Sequence, residues 1–517
     1  MTTVSEPFVS VTIINATEPV GNTPQKVLFV GQQTSAGTAT TGALQINILN
    51  DSSWDTLYGE DSVLAGMIRA GRRENAVTQF DAIGLADAGG GVAATGTIVV
   101  SGTPTAAGTI TFTVGSKVNN TYTIPVATTD TPTSLGDAIA LAITNDATNP
   151  TAGVNVTGTV TLTAINLGTL GDSIGLAIDN TAAGITVAIT AMTGGATDPT
   201  LTSIFDVIGD RRYQGIAWAY GSDVTELTGL LDPRFNVDND VLDGAGFVSV
   251  TDTFANHQIR LALLNSENLV EICDTTETTD TLKGPAQLEL PAVKASMLAA
   301  IRGLRLTDGT NITEYVTATN GVLDGTGGPA LASKPYFNTP FPNLPLIDTG
   351  LGFTATEIQM LRDVSGGTVI GNNPARTGVV LSQCVTTYKT DAAGNPDLTF
   401  KFLNSRDTAS GSREYFFNNL KSRFTQSRLT GGDIIKGRDI VNDMVIQAHM
   451  ERLYQDLSGV DFVLLQAGED EIAFFKDNLI ITLDLALGKA TIQMITPIVS
   501  QLRDIRVTQK IAFSIEG

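Results

Sequence analysis

GFVSVTDTFANHQIRLALLNSENLVEIC, residues 246–273, holds two short apolar runs separated by a segment of mixed polarity. GFVSVT (246–251) and NLVEIC (268–273) have the length and β-branched content of buried strands, and the piece near 253–265 between them reads as a helix. The rhythm extends outward in both directions. Before it come a helix around LTSIFDVIGDRR (201–212), a strand GIAWAYG (215–221) and a helix VTELTGLLDP (224–233); after it comes a helix PAVKASMLAAIRGL (291–304). Nearer the N-terminus, QKVLFVG (25–31) is a further buried strand, and DSVLAGMIRAGRREN (61–75) is a helix with Val63, Leu64, Met67 and Ile68 on one side. Strands alternating with helices predict a layered, mostly parallel sheet.

Between the two parts of this pattern the texture changes. From Val92 to Asp198 the chain is dominated by Thr, Ala, Gly and Val, with Lys117 as its one basic residue and Phe112 and Tyr122 as its only aromatics. Strands separated by Gly-containing turns, with one helix near 134–145, predict a self-contained β-rich insertion that interrupts the α/β sheet. The Pro- and Gly-rich run 324–345 reads as a linker. Beyond it are a helix at 355–367, two strands over 378–403 around a turn at Gly394-Asn395-Pro396, and helices at 412–424 and 438–457. In the second helix Ile440, Val441, Met444, Val445 and Ala448 form a stripe read as core. The strands DFVLLQAG, NLIITLDLAL and ATIQMITPIVS close the unit.

These elements predict a mixed, multidomain α+β protein: an N-terminal arm (1–20), an α/β domain made of 21–91 and 199–345, the insertion (92–198), a C-terminal α+β domain (346–500) and a C-terminal arm (501–517). The arms have period two. Val9, Val11 and Ile13 alternate with polar residues at one end; Ile505, Val507, Ile511, Phe513 and Ile515 do so at the other. Soluble proteins normally blunt such edges, because an unpaired strand is a template for another chain. Full burial of the five apolar side chains of the last arm yields about 1.5–3 kcal/mol each, whereas ordering a dozen residues costs about 1–2 kcal/mol apiece. An arm on this margin orders when a partner sheet supplies ladder hydrogen bonds as well as a dry face.

Composition narrows the function classes. The formal net charge of −22 argues against duplex binding, which needs clustered Lys and Arg. Cys273 and Cys384 are the only cysteines, too few for a disulfide framework, and read as small buried hydrophobes. MTTVSEPFVS lacks the basic and apolar regions of a leader, and no run approaches a membrane span, so a soluble, non-secreted protein is expected.

Groups for catalysis are few. His257 and His449 are the only histidines and read as structural, since neither lies in a metal-binding or triad motif. VGQQTSAG (30–37) follows a strand but lacks the lysine and the glycine spacing of a phosphate loop. DTTETTD (274–280) and DAAGNPD (391–397) offer oxygens without the spacing of a calcium loop and read as solvated turns. No catalytic, cofactor-binding or metal-binding residue is therefore assigned. Arg413, Lys421, Arg423 and Arg428 flank Phe416, Phe417, Leu420 and Phe424; they read either as basic edges of a core helix or as a docking surface for an acidic partner or another copy.

Several stretches bear a family resemblance. GTIVVSGTPTAAGTITFTVG (96–115), VTLTAINLGTLGDSIGL (160–176) and MTGGATDP (192–199) in the insertion resemble the tail sheath proteins of contractile bacteriophages, in their Mu-like branch. So do VVLSQCVTTYKTDAAGNPD (379–397), YFFNNLKSRF (415–424) and KATIQMITPIVSQLRDI (489–505), and the likeness runs nearly the whole length. It implies a non-enzymatic myovirus virion protein that works without a cofactor. Hexameric rings would stack helically around a tail tube, with baseplate and tail terminator proteins as further partners. The sheath would be assembled in the host cytoplasm, reside in the virion tail, bind no nucleic acid and insert in no membrane. Terminal arms would join neighbours' sheets, the C-terminal domain would line the tube and the insertion would face outward. Contraction would then drive the tube through the host envelope for genome ejection. Two other classes share the texture. A surface adhesin would need an export signal, and an α/β enzyme with a β insertion would need side chains converging in a cleft.

Overall fold

A computed structural model describes residues 25–48, 51–115, 120–235, 241–275, 288–307, 336–347, 351–434, 439–459 and 465–499. The arm residues Val9, Val11, Ile13, Ile505, Val507, Ile511, Phe513 and Ile515 lie outside the described residues.

The chain enters on β1 (Lys26–Gln32), followed by β2 (Leu44–Gln45), α1 (Asp51–Tyr58), α2 (Val63–Glu74) and β3 (Gln79–Leu85). Six of the seven β1 residues are buried, as a parallel strand covered on both faces requires. Helix α2 starts where the Ser62 hydroxyl accepts the Ala65 N–H at 3.0 Å, and it buries Leu64, Met67 and Ile68.

The insertion then contributes β4 (Thr95–Gly102), β5 (Gly108–Val114), β6 (Thr121–Val126), α3 (Pro132–Thr144), β7 (Thr151–Val156), β8 (Thr159–Ala164), β9 (Leu176–Asn180) and β10 (Ile185–Thr193). These form a four-stranded sheet in the order β10-β4-β8-β7 and a three-stranded sheet β6-β5-β9. Their inward residues, Ile98, Ile110, Phe112, Val160 and Leu162 among them, make a core of their own with Leu135 and Ile139 of α3. Thr131 and Ser134 close a capping box on α3, with Pro132 in its first turn.

The return to the first sheet runs through β11 (Gly215–Trp218), α4 (Thr225–Arg234), β12 (Ala245–Asp252), α5 (Phe254–Ala262), β13 (Leu269–Thr275) and α6 (Pro291–Thr307). It continues with β14 (Thr339–Phe341), α7 (Ala355–Met360), β15 (Thr368–Asn372) and β16 (Val379–Leu381). The nine strands lie in the order β14-β16-β15-β13-β12-β11-β1-β3-β2. The central pairs β3/β1, β1/β11, β11/β12, β12/β13 and β13/β15 are parallel, and β2, β16 and β14 add antiparallel edges. The mixed α+β class and the interrupted parallel sheet are as expected.

Four local readings are corrected. LTSIFDVIGDRR forms only a short 3-10 turn, Asp206–Ile208, because Ser203 and Gly209 take left-handed φ values of 61° and 51°. The end of the supposed linker is not loose: β14 pairs with β16, and Tyr336 and Phe341 are buried. The three strands β14–β16 belong to the large sheet, so the boundary drawn at 345 falls inside it. Residues 378–403 are not a two-stranded hairpin. Beyond β16 they pair through single bridges, Val385 with Phe402 and Thr390 with Pro396, around a turn in which Asp391 accepts the Ala393 and Asn395 N–H groups at 2.9 and 2.8 Å.

Helix α8 (Leu403–Phe424) begins nine residues earlier than its apolar pattern indicates. Its first half is held by buried polar contacts. Arg406 donates to the Gly244 carbonyl at 2.5 Å and to Asn268 Oδ1 at 2.8 Å, and Asp407 accepts from Arg302 at 2.7 Å and from the Tyr336 hydroxyl at 3.2 Å. Its second half enters a separate small core with α9 (Asp443–Ser458) and α10 (Glu469–Asp477). There β17 (Arg428–Leu429) pairs with β18 (Ile440–Val441), and β19 (Ile480–Asp484) with β20 (Lys489–Gln493). The stripe expected in α9 is corrected too: Ile440 and Val441 lie in β18, Met444 is 63% exposed, and the buried face is Ile446, Met450, Leu453, Tyr454 and Leu457.

Candidate functional site

Open parallel sheets take small ligands beyond the strand carboxyl ends, where the winding reverses. Here the reversal lies between β1 and β11. The insertion fills it. Gln32, the last residue of β1, donates through Nε2 to Asp87 Oδ1 and to the Leu167 carbonyl, both at 2.7 Å. Asn166 Nδ2 donates to the same Asp87 oxygen and to the Gln33 carbonyl, both at 3.1 Å, and Asn166 Oδ1 accepts the Val63 N–H at 3.0 Å. A cleft of about 200 Å³ remains, walled by Leu170, Ser173, Gly221, Ser249, Thr251 and Pro291. That is below the roughly 300–1,000 Å³ of ordinary ligand pockets.

In VGQQTSAG, two side chains that could donate to a ligand are already engaged. Gln33 Nε2 donates to the Ala39 carbonyl at 2.9 Å, and the Thr34 hydroxyl donates to Asp61 Oδ1 at 3.2 Å. In DAAGNPD, Asp397 accepts the Tyr388 hydroxyl at 2.5 Å and the Thr399 hydroxyl at 2.6 Å, so its carboxylate shapes the turn. DTTETTD lies almost wholly outside the described residues. His449 is half-buried with its ring edge-on to Phe424 at 5.3 Å; burial, then Arg423 and Arg452, push its pKa down. His257 is fully buried, and its Nε2 faces the Asp274 carbonyl at 2.8 Å.

The expected basic patch divides in two. Arg413 pairs with the buried Asp243, which also accepts the Ser410 hydroxyl at 2.6 Å, so Arg413 fastens α8 to its own subunit. Next to it Arg212 and Glu414 pair at 2.8 Å. Burial opposes the Asp243 charge, but Arg406, Ser410 and Arg413 outweigh it and hold the carboxyl below its usual range. Lys421 and Arg423 in the last turn of α8, and Arg428 just beyond it, remain exposed. Lys421 and Arg423 line a polar groove of about 650 Å³ with Asp439.

Apart from the two-residue pair β17–β18, the open pairing among the described residues is the hairpin β19–β20. Ile481 and Leu483 face Ala490 and Ile492 across the pair and pack on the small core. Every residue of both strands is at least partly exposed, and neither strand has a second neighbour among the described residues. An isolated two-stranded sheet is marginal in water, and a further strand on either edge would complete it. Around it stand Ile480 at 55%, Leu485 at 56%, Leu487 at 77% and Ile495 at 52% exposure. Leu485 and Leu487 sit in the turn between the strands, closed by Gly488 at φ 62°. The sequence analysis missed them; the available signal was a DLALGK turn carrying two leucines where turns usually carry polar residues.

Several solved structures are similar to this chain, and two of them serve as examples. One is the sheath tail protein of Listeria innocua, 12% identical, with 94% of this chain and 94% of that chain covered and a TM-score of 0.44. The other is the helical sheath of the anti-feeding prophage in its contracted state, 11% identical, with 99% of each chain covered and a TM-score of 0.42. No family model and no curated protein matches the chain. No helix among the described residues is long and apolar enough to cross a membrane.

Proposed function

We propose that this protein is the structural subunit of a contractile tail sheath of the Mu-like branch, polymerising as stacked hexameric rings around a tail tube. The observation that carries the reading is the unfinished β19–β20 hairpin. Two further features support it: the alternation of apolar and polar residues at both chain ends, and the resemblance carried by the insertion and by residues 379–397. In this reading Ile505, Val507, Ile511, Phe513 and Ile515 of one copy extend the hairpin of the next, and Val9, Val11 and Ile13 add a second link. The domain with the hairpin lines the tube, Lys421, Arg423 and Arg428 face the tube or a neighbour, and the insertion faces outward. Linked arms let domains rotate without separating, so contraction proceeds from a metastable lattice by exchange of subunit contacts, without nucleotide hydrolysis.

Negative-stain imaging of the purified full chain tests this directly, with hollow striated cylinders expected. Deleting 505–517 should leave a folded monomer on gel filtration that forms no cylinders, and normal cylinders from it would refute the arm assignment. Phe513→Asp should likewise block assembly with the subunit still folded.

A further inference from the structure

Behind α5, on the face of the large sheet opposite α6, three donors of different chemistry meet. His257 comes from α5, while Glu271 and Cys273 stand two apart on β13 and so share one face of that strand. All three are buried, and one donor atom from each lies within 4.8 Å of the others. Leu261, Leu361 and Val369 close around the sulfur, and the Phe353 ring sits edge-on to His257 at 5.8 Å. A side chain at Gly367 would start 2.7 Å from the Cys273 sulfur, so a glycine there keeps room for it.

The hydrogen bonds of the cluster leave a specific deficit. The Asp274 carbonyl can only accept, so His257 Nε2 at 2.8 Å carries the hydrogen and Nδ1 of the neutral ring is a bare lone pair. Glu271 Oε2 is bound by Arg260 Nε at 2.9 Å, whereas Oε1 has no hydrogen-bond partner; neither has His257 Nδ1. These two buried acceptors face each other at 3.8 Å, too far for a hydrogen bond. Two lone pairs left facing each other in a buried site are destabilising unless something positive lies between them.

We propose that His257 Nδ1, Glu271 Oε1 and Cys273 Sγ bind one Zn²⁺ ion, which pins α5 to β13. The mixed imidazole, carboxylate and thiolate set suits zinc, and suits neither calcium nor magnesium, which take oxygen alone. The outer contacts have the form metal sites use: the ligating ring donates its other N–H to a backbone carbonyl, and the ligating carboxylate is held by an arginine. Bonds of about 2.0–2.3 Å in a tetrahedron set the donors roughly 3.3–3.8 Å apart, so the wider separations close by up to about 1 Å on binding. Zn²⁺ displaces the thiol proton of Cys273, which leaves as H⁺; the thiolate and the Glu271 carboxylate then balance the two charges of the ion, and a water takes the fourth position. The inference is independent of the assembly reading.

The test uses the full chain, treated with chelator and dialysed, then titrated with Zn²⁺ or Co²⁺ alone. We expect about one equivalent of Zn²⁺ bound, a raised thermal midpoint, and with Co²⁺ the near-ultraviolet thiolate band together with visible tetrahedral bands. Cys273→Ser should abolish the near-ultraviolet band, His257→Gln should weaken binding by at least about tenfold, and Cys384→Ser should change neither. Absence of Zn²⁺ binding at micromolar concentration, or a Co²⁺ complex of the wild-type chain without a thiolate band, would overturn the proposal. The second result decides even where the cysteine and histidine variants do not fold.

Discussion

The nine-stranded sheet and the C-terminal hairpin are both made of apolar strands, yet they end in opposite states. Val27, Leu28, Phe29 and Val30 of β1 have no exposed surface, because side chains pack on both faces and strands flank both edges. Ile480 of β19 is 55% exposed, and its strand has a single neighbour among the described residues. The first sheet satisfies its backbone and side chains within one subunit. The hairpin satisfies half of each, and that asymmetry separates a closed scaffold from an open edge. Helix α8 joins the two, with its first half in buried ion pairs under the large sheet and its second half in the small core.

Breaking the scaffold should have the largest effect. Phe29→Ala removes a ring packed on Phe80 at 4.7 Å and should cost about 3–5 kcal/mol in urea unfolding of the subunit. The joint comes next. Asp407→Asn leaves Arg302, 3% exposed, without its charge partner, and a loss of about 3 kcal/mol is expected by the same measurement. Acid acts on the joint more gently. The Asp243 carboxyl has a folded pKa below its unfolded value, so its contribution is complete above about pH 4 and fades as pH falls through the folded value. Asp243→Asn should flatten the acid limb of the urea midpoint below about pH 4. A wild-type slope retained in the variant would show that the carboxylate of Asp243 carries none of it.

The smallest effect on the subunit, and the sharpest on the comparison, is expected at the hairpin turn. Leu487→Asp changes a residue 77% exposed, so unfolding of the isolated subunit should shift by no more than about 0.5 kcal/mol. Cylinder formation by the same variant should fail. If assembly were normal, the turn would not be a contact and the exposed leucines would have no part in the lattice.

Where burial is apolar, the pattern was readable. GFVSVT and NLVEIC became β12 and β13, and the helix near 134–145 became Pro132–Thr144. Where burial is polar, it was not. LNSRDTASG carries no apolar period and contains a glycine, yet it is the first half of α8, because Arg406, Asp407 and Ser410 find distant buried partners only once the chain has folded. The same limit hid the partner of Arg413, which lies 170 positions away at Asp243. The crevice at the winding reversal was invisible as well, since Asn166 and Gln32, 134 positions apart, meet through Asp87.

By itself the sequence determined the main buried strands and helices of the large sheet, that a Thr- and Gly-rich unit interrupts it, and that apolar and polar residues alternate at both ends, because these follow from local spacing of apolar side chains. Only the tertiary structure decided that the insertion occupies the place of a ligand, that α8 ties two cores together, and that one hairpin is left open. Hydrogen bonds and ion pairs between distant residues carry no periodic signature, and an edge is open or closed only with respect to strands that folding brings beside it.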